Sequence, residues 1–129
     1  MTHLLDTHVF LWLVAEPDRV DRAVIDRLAD RQVTLLVSAA SAWEAATKQR
    51  LGKLGLQAVV ATWNQRVHDI GAEPLDITPD DVLLAGSMQW DHRDPFDRLL
   101  VSQALRLNAV LVTVDGTILA FPGIRTLTW

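Results

Sequence analysis

The chain has 129 residues, half of them apolar and 22% charged, a balance that suits one folded domain over 1–129 and excludes a disordered chain. Its net charge of −4 gives no overall basic footprint for nucleic acid, and the lack of cysteine excludes disulfides and thiolate metal sites. No apolar run reaches the roughly 18–20 residues that span a bilayer, and Asp6 and His8 interrupt the apolar start, which has no basic leader. A cytoplasmic protein with no membrane partner is expected.

In chain order, His3–Leu5 is predicted to be a short strand running into Asp6, and Thr7–Ala15 a helix closed by Glu16-Pro17. Asp18–Arg31 is amphipathic, with Val20, Val24 and Leu28 on one face, and reads as a helix. Thr34–Val37 reads as a strand, and about Ala40–Leu51 as a helix broken by Gly52 and Gly55. Leu56–Ile70 reads as another amphipathic helix, ended by Gly71, and Pro74–Ile77 as a short edge strand. Thr78 is placed as the cap of a helix with Pro79 at its first position, running to about Met88. Phe96–Leu107 is a helix, Ala109–Thr113 a buried strand and Ile124–Leu127 a last short strand. This alternation predicts an α/β domain with a mainly parallel sheet. In such sheets, sites form beyond the carboxyl ends of the strands, where strand order reverses.

Four acids lie where that rule points. Asp6 follows the first strand, Glu44 sits early in the helix after the second, Asp97 begins the helix before AVLVT, and Asp115 follows that strand. Each also has a structural explanation. Asp6 and Asp115 suit helix N-caps, each contributing about 1 kcal/mol. Ser41-Ala42-Trp43-Glu44 matches a capping box. Asp94-Pro95-Phe96-Asp97 reads as cap, first-position proline and an acid favoured by the helix dipole. If the fold gathers these ends, the carboxylates must protonate or bind a cation, because two of them about 4 Å apart repel by about 4 kcal/mol at an effective dielectric near 20. An all-oxygen set suits Mg²⁺ or Mn²⁺ rather than zinc or copper.

Four segments, LLDTHVFLW (Leu4–Trp12), VSAASAWEAATKQRLGKL (Val37–Leu54), HRDPFDRLLVSQAL (His92–Leu105) and LVTVDGTI (Leu111–Ile118), span essentially the whole chain. In order and flanks the sequence closely resembles PIN-domain endoribonucleases of the VapC type, the toxins of type II toxin–antitoxin pairs. The resemblance implies a three-layer α/β/α fold around a five-stranded parallel sheet with strands one and four adjacent at its centre. It implies Asp6 and Asp97 as principal metal ligands, Glu44 as a third acid acting directly or through water, and Asp115 as the fourth. The implied activity is Mg²⁺-dependent hydrolysis of RNA phosphodiester bonds, with Mn²⁺ as a substitute and tRNA, rRNA or mRNA as the substrate. The implied partners are a VapB-like antitoxin and a second copy of the chain, with the apolar N-terminal helices as their contact region. The chain departs from the family pattern at Gly116, where arginine is common, and at Asp91, which adds negative charge beside the expected RNA path. Both departures bear on substrate handling.

Other residues carry paired interpretations. Thr7 and Ser38 either orient a carboxylate or water, or start helices; Thr113 either orients Asp115 or finishes its strand. His8 is expected in packing and His92 at the rim. Lys48 either pairs with Glu44 at i,i+4 or joins Arg50 and Lys53 in contacting phosphate, with the ion pair favoured. Arg98 has two open assignments, phosphate or the neighbouring acids. Trp12 and Trp43 are expected in the core, and Trp90 as an exposed platform or interface residue. The competing functional reading is a catalytically silent PIN-like module that binds RNA or protein. A magnesium-dependent phosphatase or receiver-like domain fits less well: Asp6-Thr7-His8 replaces a D-x-D pair, and Lys48 and Lys53 are the only lysines.

Overall fold

The computed structural model describes residues 1–53 and 55–129; Leu54, the end of the second matching segment, lies outside them. The elements run β1 (Thr2–Leu5), α1 (Thr7–Ala15), a 3-10 turn (Pro17–Arg19), α2 (Arg22–Leu28), β2 (Thr34–Ser38), α3 (Ala39–Arg50), α4 (Gln57–Ala61) and α5 (Trp63–Asp69). They continue with β3 (Glu73–Leu75), α6 (Pro79–Ser87), α7 (Pro95–Leu107), β4 (Val110–Val112), α8 (Gly116–Leu119) and β5 (Arg125–Leu127). The five strands form one all-parallel sheet in the order β3-β2-β1-β4-β5. The expected α/β/α class and the central β1–β4 pair are both present. Among the described residues, no helix is long and apolar enough to cross a membrane.

Alternation along the strands builds two cores, one on each face of the sheet. Leu4, Leu36 and Leu111 pack with Leu99 and Leu100 of α7 and with Ile118 of α8. Leu5, Leu35, Val37 and Val112 pack with Val9 and Phe10 of α1, Val24 of α2 and Val67 of α5. Phe10 is fully buried, which contributes about 1.5–3 kcal/mol for a side chain of this size. β1 is central because it is apolar on both faces, as a strand covered by helices on both sides must be.

Helix starts follow local chemistry. Thr78 and Asp81 form a reciprocal capping box ahead of α6, with Pro79 at its start. Asp94 Oδ1 accepts from the Phe96 and Asp97 amides and so fixes the start of α7. Asn108, at φ 51°, ends that helix in the left-handed conformation that asparagine tolerates.

Two helices expected to be continuous are broken. In the Asp18–Arg31 stretch, Val20 is extended (φ −100°) and the Asp21 carboxylate accepts from the Ala23 amide at 2.8 Å, so α2 starts only at Arg22. In the Leu56–Ile70 stretch, Thr62 leaves helical geometry at φ −122° and its hydroxyl donates to the Ala58 carbonyl at 2.6 Å. In both cases a short polar side chain offers the backbone an alternative to the helix ladder. The Ser41–Glu44 capping box is also absent. Ser38 caps α3 by accepting from the Ala40 amide, so Ser41 and Glu44 lie inside the helix.

Candidate active site

The chain places β2 and β3 on one side of β1, then β4 and β5 on the other. The reversal falls between β1 and β4, and Asp6 and Asp115 follow the carboxyl ends of those two strands. The Asp6 amide donates to the Val112 carbonyl at 2.9 Å, which ties the two strand ends together. Asp6 is buried and caps α1 through Oδ1, which accepts from the Thr7 amide at 2.7 Å. Its Oδ2 accepts from the Thr113 hydroxyl, also at 2.7 Å. The same hydroxyl accepts from the Asp115 amide at 3.0 Å. Thr113 therefore orients Asp6, a role the sequence did not single out, as well as meeting Asp115 as expected. Asp115 is half-buried and caps α8, Oδ1 accepting from the Thr117 and Ile118 amides.

Glu44 comes from α3 and Asp97 from α7, two helices that touch through Trp43 and Phe96. Glu44 is buried, and its Oε2 accepts from Lys48 Nζ at 2.5 Å, the predicted i,i+4 pair. Its Oε1 is buried with no hydrogen-bond partner among the described residues. Thr7 donates to Ser41 at 2.8 Å, linking α1 to α3 one turn before Glu44. Asp97 is buried one turn into α7, and its Oδ2 lies 2.7 Å from His92 Nε2.

The carboxylates act on one another. Burial pushes the Asp6 carboxyl above its ordinary value; the hydrogen bonds from Thr113 and the Thr7 amide oppose this, and the Glu44 charge adds to it. Asp97 is pushed up to about 7, first by burial, with the His92 contact opposing and Asp94, Asp6 and Asp115 adding repulsion. Buried like charges of this kind are stabilised by a proton or a cation. The unpartnered Glu44 Oε1 and the all-carboxylate donors fit a hard divalent cation.

Spacing limits how a cation is held. Among the described residues, the group of three possible ligands with donor atoms within 4.8 Å of one another is His92, Asp94 and Asp97. Ligands of Mg²⁺ lie about 2.1 Å from the ion and so at most about 4.2 Å apart. In the arrangement seen, no three of Asp6, Glu44, Asp97 and Asp115 can touch one such ion directly; a third contact would need a bridging water or movement.

Several surrounding residues differ from expectation. Arg98 forms no ion pair with an acid among the described residues: its guanidinium donates to the carbonyls of Ala85, Met88, Trp90 and His92 at 2.6–2.9 Å. His92 bonds to Asp97 rather than merely lining the rim; the signal was its place five residues ahead of Asp97, across the cap. Ser38 is a cap that also donates to Gln103, not an orienting group for the acids. His8 is exposed rather than packed, because its side of α1 faces solvent beside Trp12. Trp43 is 52% exposed and meets Phe96 edge-on, since α3 turns Ala40, Ser41, Glu44 and Ala45 inward instead. Trp12 packs against the core as expected, though only partly buried, with Arg19 over its ring. Trp90 is no exposed platform; it packs on Phe121 and His92, each with ring centroids 4.9 Å away.

The PIN domain family model matches residues 3–123. Ribonuclease VapC22 of Mycobacterium tuberculosis (strain ATCC 25618 / H37Rv) is 32% identical over 118 residues, which is 88% of this chain and 87% of that protein. The structure of VapBC2 from Rickettsia felis bound to a DNA fragment from their promoter matches with a TM-score of 0.71 at 19% identity, covering 100% of this chain and 99% of that one. DNA-bound VapBC from Salmonella typhimurium matches with a TM-score of 0.71 at 19% identity, covering 100% of this chain and 98% of that one. At these identities the two structures bear on the fold.

Proposed function

The chain belongs to the PIN domain family, and from that premise we propose that it is a divalent-metal-dependent endoribonuclease, the toxin of a type II toxin–antitoxin pair. One observation carries the proposal: at the sheet's switch point Asp6 and Asp97 are both buried with raised pKa values, and the charge of Glu44 adds to the rise at Asp6 while those of Asp6 and Asp115 add to the rise at Asp97. The ribonuclease name of the 32%-identical relative supports the same activity.

Asp6 and Asp97 would hold the cation as principal ligands, with Glu44 acting directly or through water and Asp115 as the fourth acid. Mg²⁺ is the proposed ion and Mn²⁺ its substitute, since the donors are hard oxygens. When bound, such an ion supplies Lewis acidity toward phosphoryl oxygens and water. The chain's own part is preorganisation. Thr113 and the Thr7 amide fix both oxygens of Asp6, and Lys48 neutralises one oxygen of Glu44 while the other stays available. The proposed substrate is RNA, and the proposed partners are a VapB-like antitoxin and a second copy of the chain in the cytoplasm.

The test is RNA cleavage by purified protein with Mg²⁺ or Mn²⁺ and with EDTA. Asp6→Ala and Asp97→Ala variants that remain folded should each lose cleavage and growth arrest. Full cleavage by both variants would sink the assignment.

A further inference from the structure

We propose that His92 is a positioning residue that sets the orientation of the Asp97 carboxylate toward a cation, and that the Arg98 clamp holds His92 in place to do so. The inference rests on Asp97 being a cation ligand. An aspartate carboxylate turns about a broad, shallow torsion, so its direction must be fixed from outside. Asp97 has one such contact, His92 Nε2 at 2.7 Å from Oδ2, and no hydrogen bond is made to its Oδ1 among the described residues. An ionised carboxylate only accepts, so the geometry assigns the hydrogen to Nε2.

His92 is itself fixed on two sides. Its carbonyl accepts from Arg98 at 2.9 Å, and the same guanidinium captures the carbonyls of Ala85, Met88 and Trp90. Its ring meets Trp90, which is braced against Phe121. Adjacent residues of α7 thus grip one loop from both directions: Arg98 holds its backbone and Asp97 meets its imidazole. Asp94 adds a third constraint by capping the Asp97 amide at 3.2 Å. The rival role for His92 is direct ligation, since it lies with Asp94 and Asp97 inside a ligand-sized space. The geometry of His92 argues against that, because an Nε2 that donates its proton to Asp97 Oδ2 at 2.7 Å has no lone pair left for a cation.

The experiment is a Mn²⁺ titration of the full chain by electron paramagnetic resonance, comparing wild type with His92→Ala and His92→Gln. His92→Ala should weaken binding about tenfold or more, the usual effect of losing an outer contact to a ligand. His92→Gln can donate from a similar position and should stay within about threefold of wild type. Equal binding by His92→Ala, or no rescue by His92→Gln, overturns the inference and leaves the metal site standing. Directly bonded nitrogen in the spin-echo spectrum of the Mn²⁺-loaded protein overturns it too, by making His92 a ligand. A folded wild type that binds no Mn²⁺ removes the metal reading itself, and the inference with it.

Discussion

Asp97→Asn should stabilise the cation-free protein while abolishing its activity, and the gain should depend on pH. Asp97 titrates at about 7 when folded, against a reference value of 3.8. Between these values the folded chain keeps a proton that the unfolded chain has released. Rising pH therefore removes wild-type stability from about pH 4 to about pH 7, after which the loss levels off. At about 1.4 kcal/mol per pH unit, the full gap corresponds to at most about 4 kcal/mol. Asparagine has no such titration, and its side-chain oxygen can still accept from His92. The variant's advantage should therefore be small near pH 4 and approach this figure above about pH 7, or about 2 M in urea midpoint at an m-value near 2 kcal/mol/M. The assay is urea unfolding in EDTA at about pH 4.5, 6 and 8. A pH-independent difference, or a variant less stable than wild type at alkaline pH, would refute the reasoning. On the proposed ligand set, added Mg²⁺ should then stabilise wild type more than the variant, which lacks one of the proposed carboxylate ligands.

Thr113→Val should move the acid limb of the cleavage profile to higher pH, because its hydroxyl lowers the Asp6 pKa; Thr113→Ser should leave the limb in place. Arg98→Lys should cost about 2–3 kcal/mol in denaturant unfolding, since one ammonium cannot satisfy four carbonyls in the geometry of a planar fork. An unchanged midpoint would remove the clamp from the account. His3 is buried, and among the described residues its ring nitrogens find no well-formed hydrogen bond; burial holds its pKa below the usual value, against a weaker opposing contact with the Met1 backbone. As pH falls below about 6.5 the unfolded chain takes up a proton before the folded one does, so wild type loses stability there. His3→Leu should be more stable, with the difference widening toward acid in thermal unfolding.

The sequence determined what depends on near neighbours. Thr7–Ala15 is a helix over the predicted range, the Asp94 cap starts the helix that carries Asp97, and Lys48 pairs with Glu44 one turn away. The four acids, with their flanks and order, were enough for the PIN resemblance. Local patterning does not report competition between a side chain and the helix ladder, so the breaks at Asp21 and Thr62 were missed. It also assigned Ser41 a cap that belongs to Ser38.

Tertiary structure decided everything that joins distant segments. Thr113 reaches Asp6 across 107 positions, and Ser38 reaches Gln103 across 65. No periodicity encodes such pairs; they exist because β1 and β4 are neighbours in the sheet and α7 packs beside β2's end. Trp43 looked like core by its type but lies outward, because α3 turns its small residues and Glu44 inward. The burial of Asp97 is likewise a product of the fold. Its spacing from Asp94 makes it a favourable helix-start acid, but only the packing of α7 buries it, which is the main cause of its raised pKa, and brings the charges of Asp6 and Asp115 to bear on it.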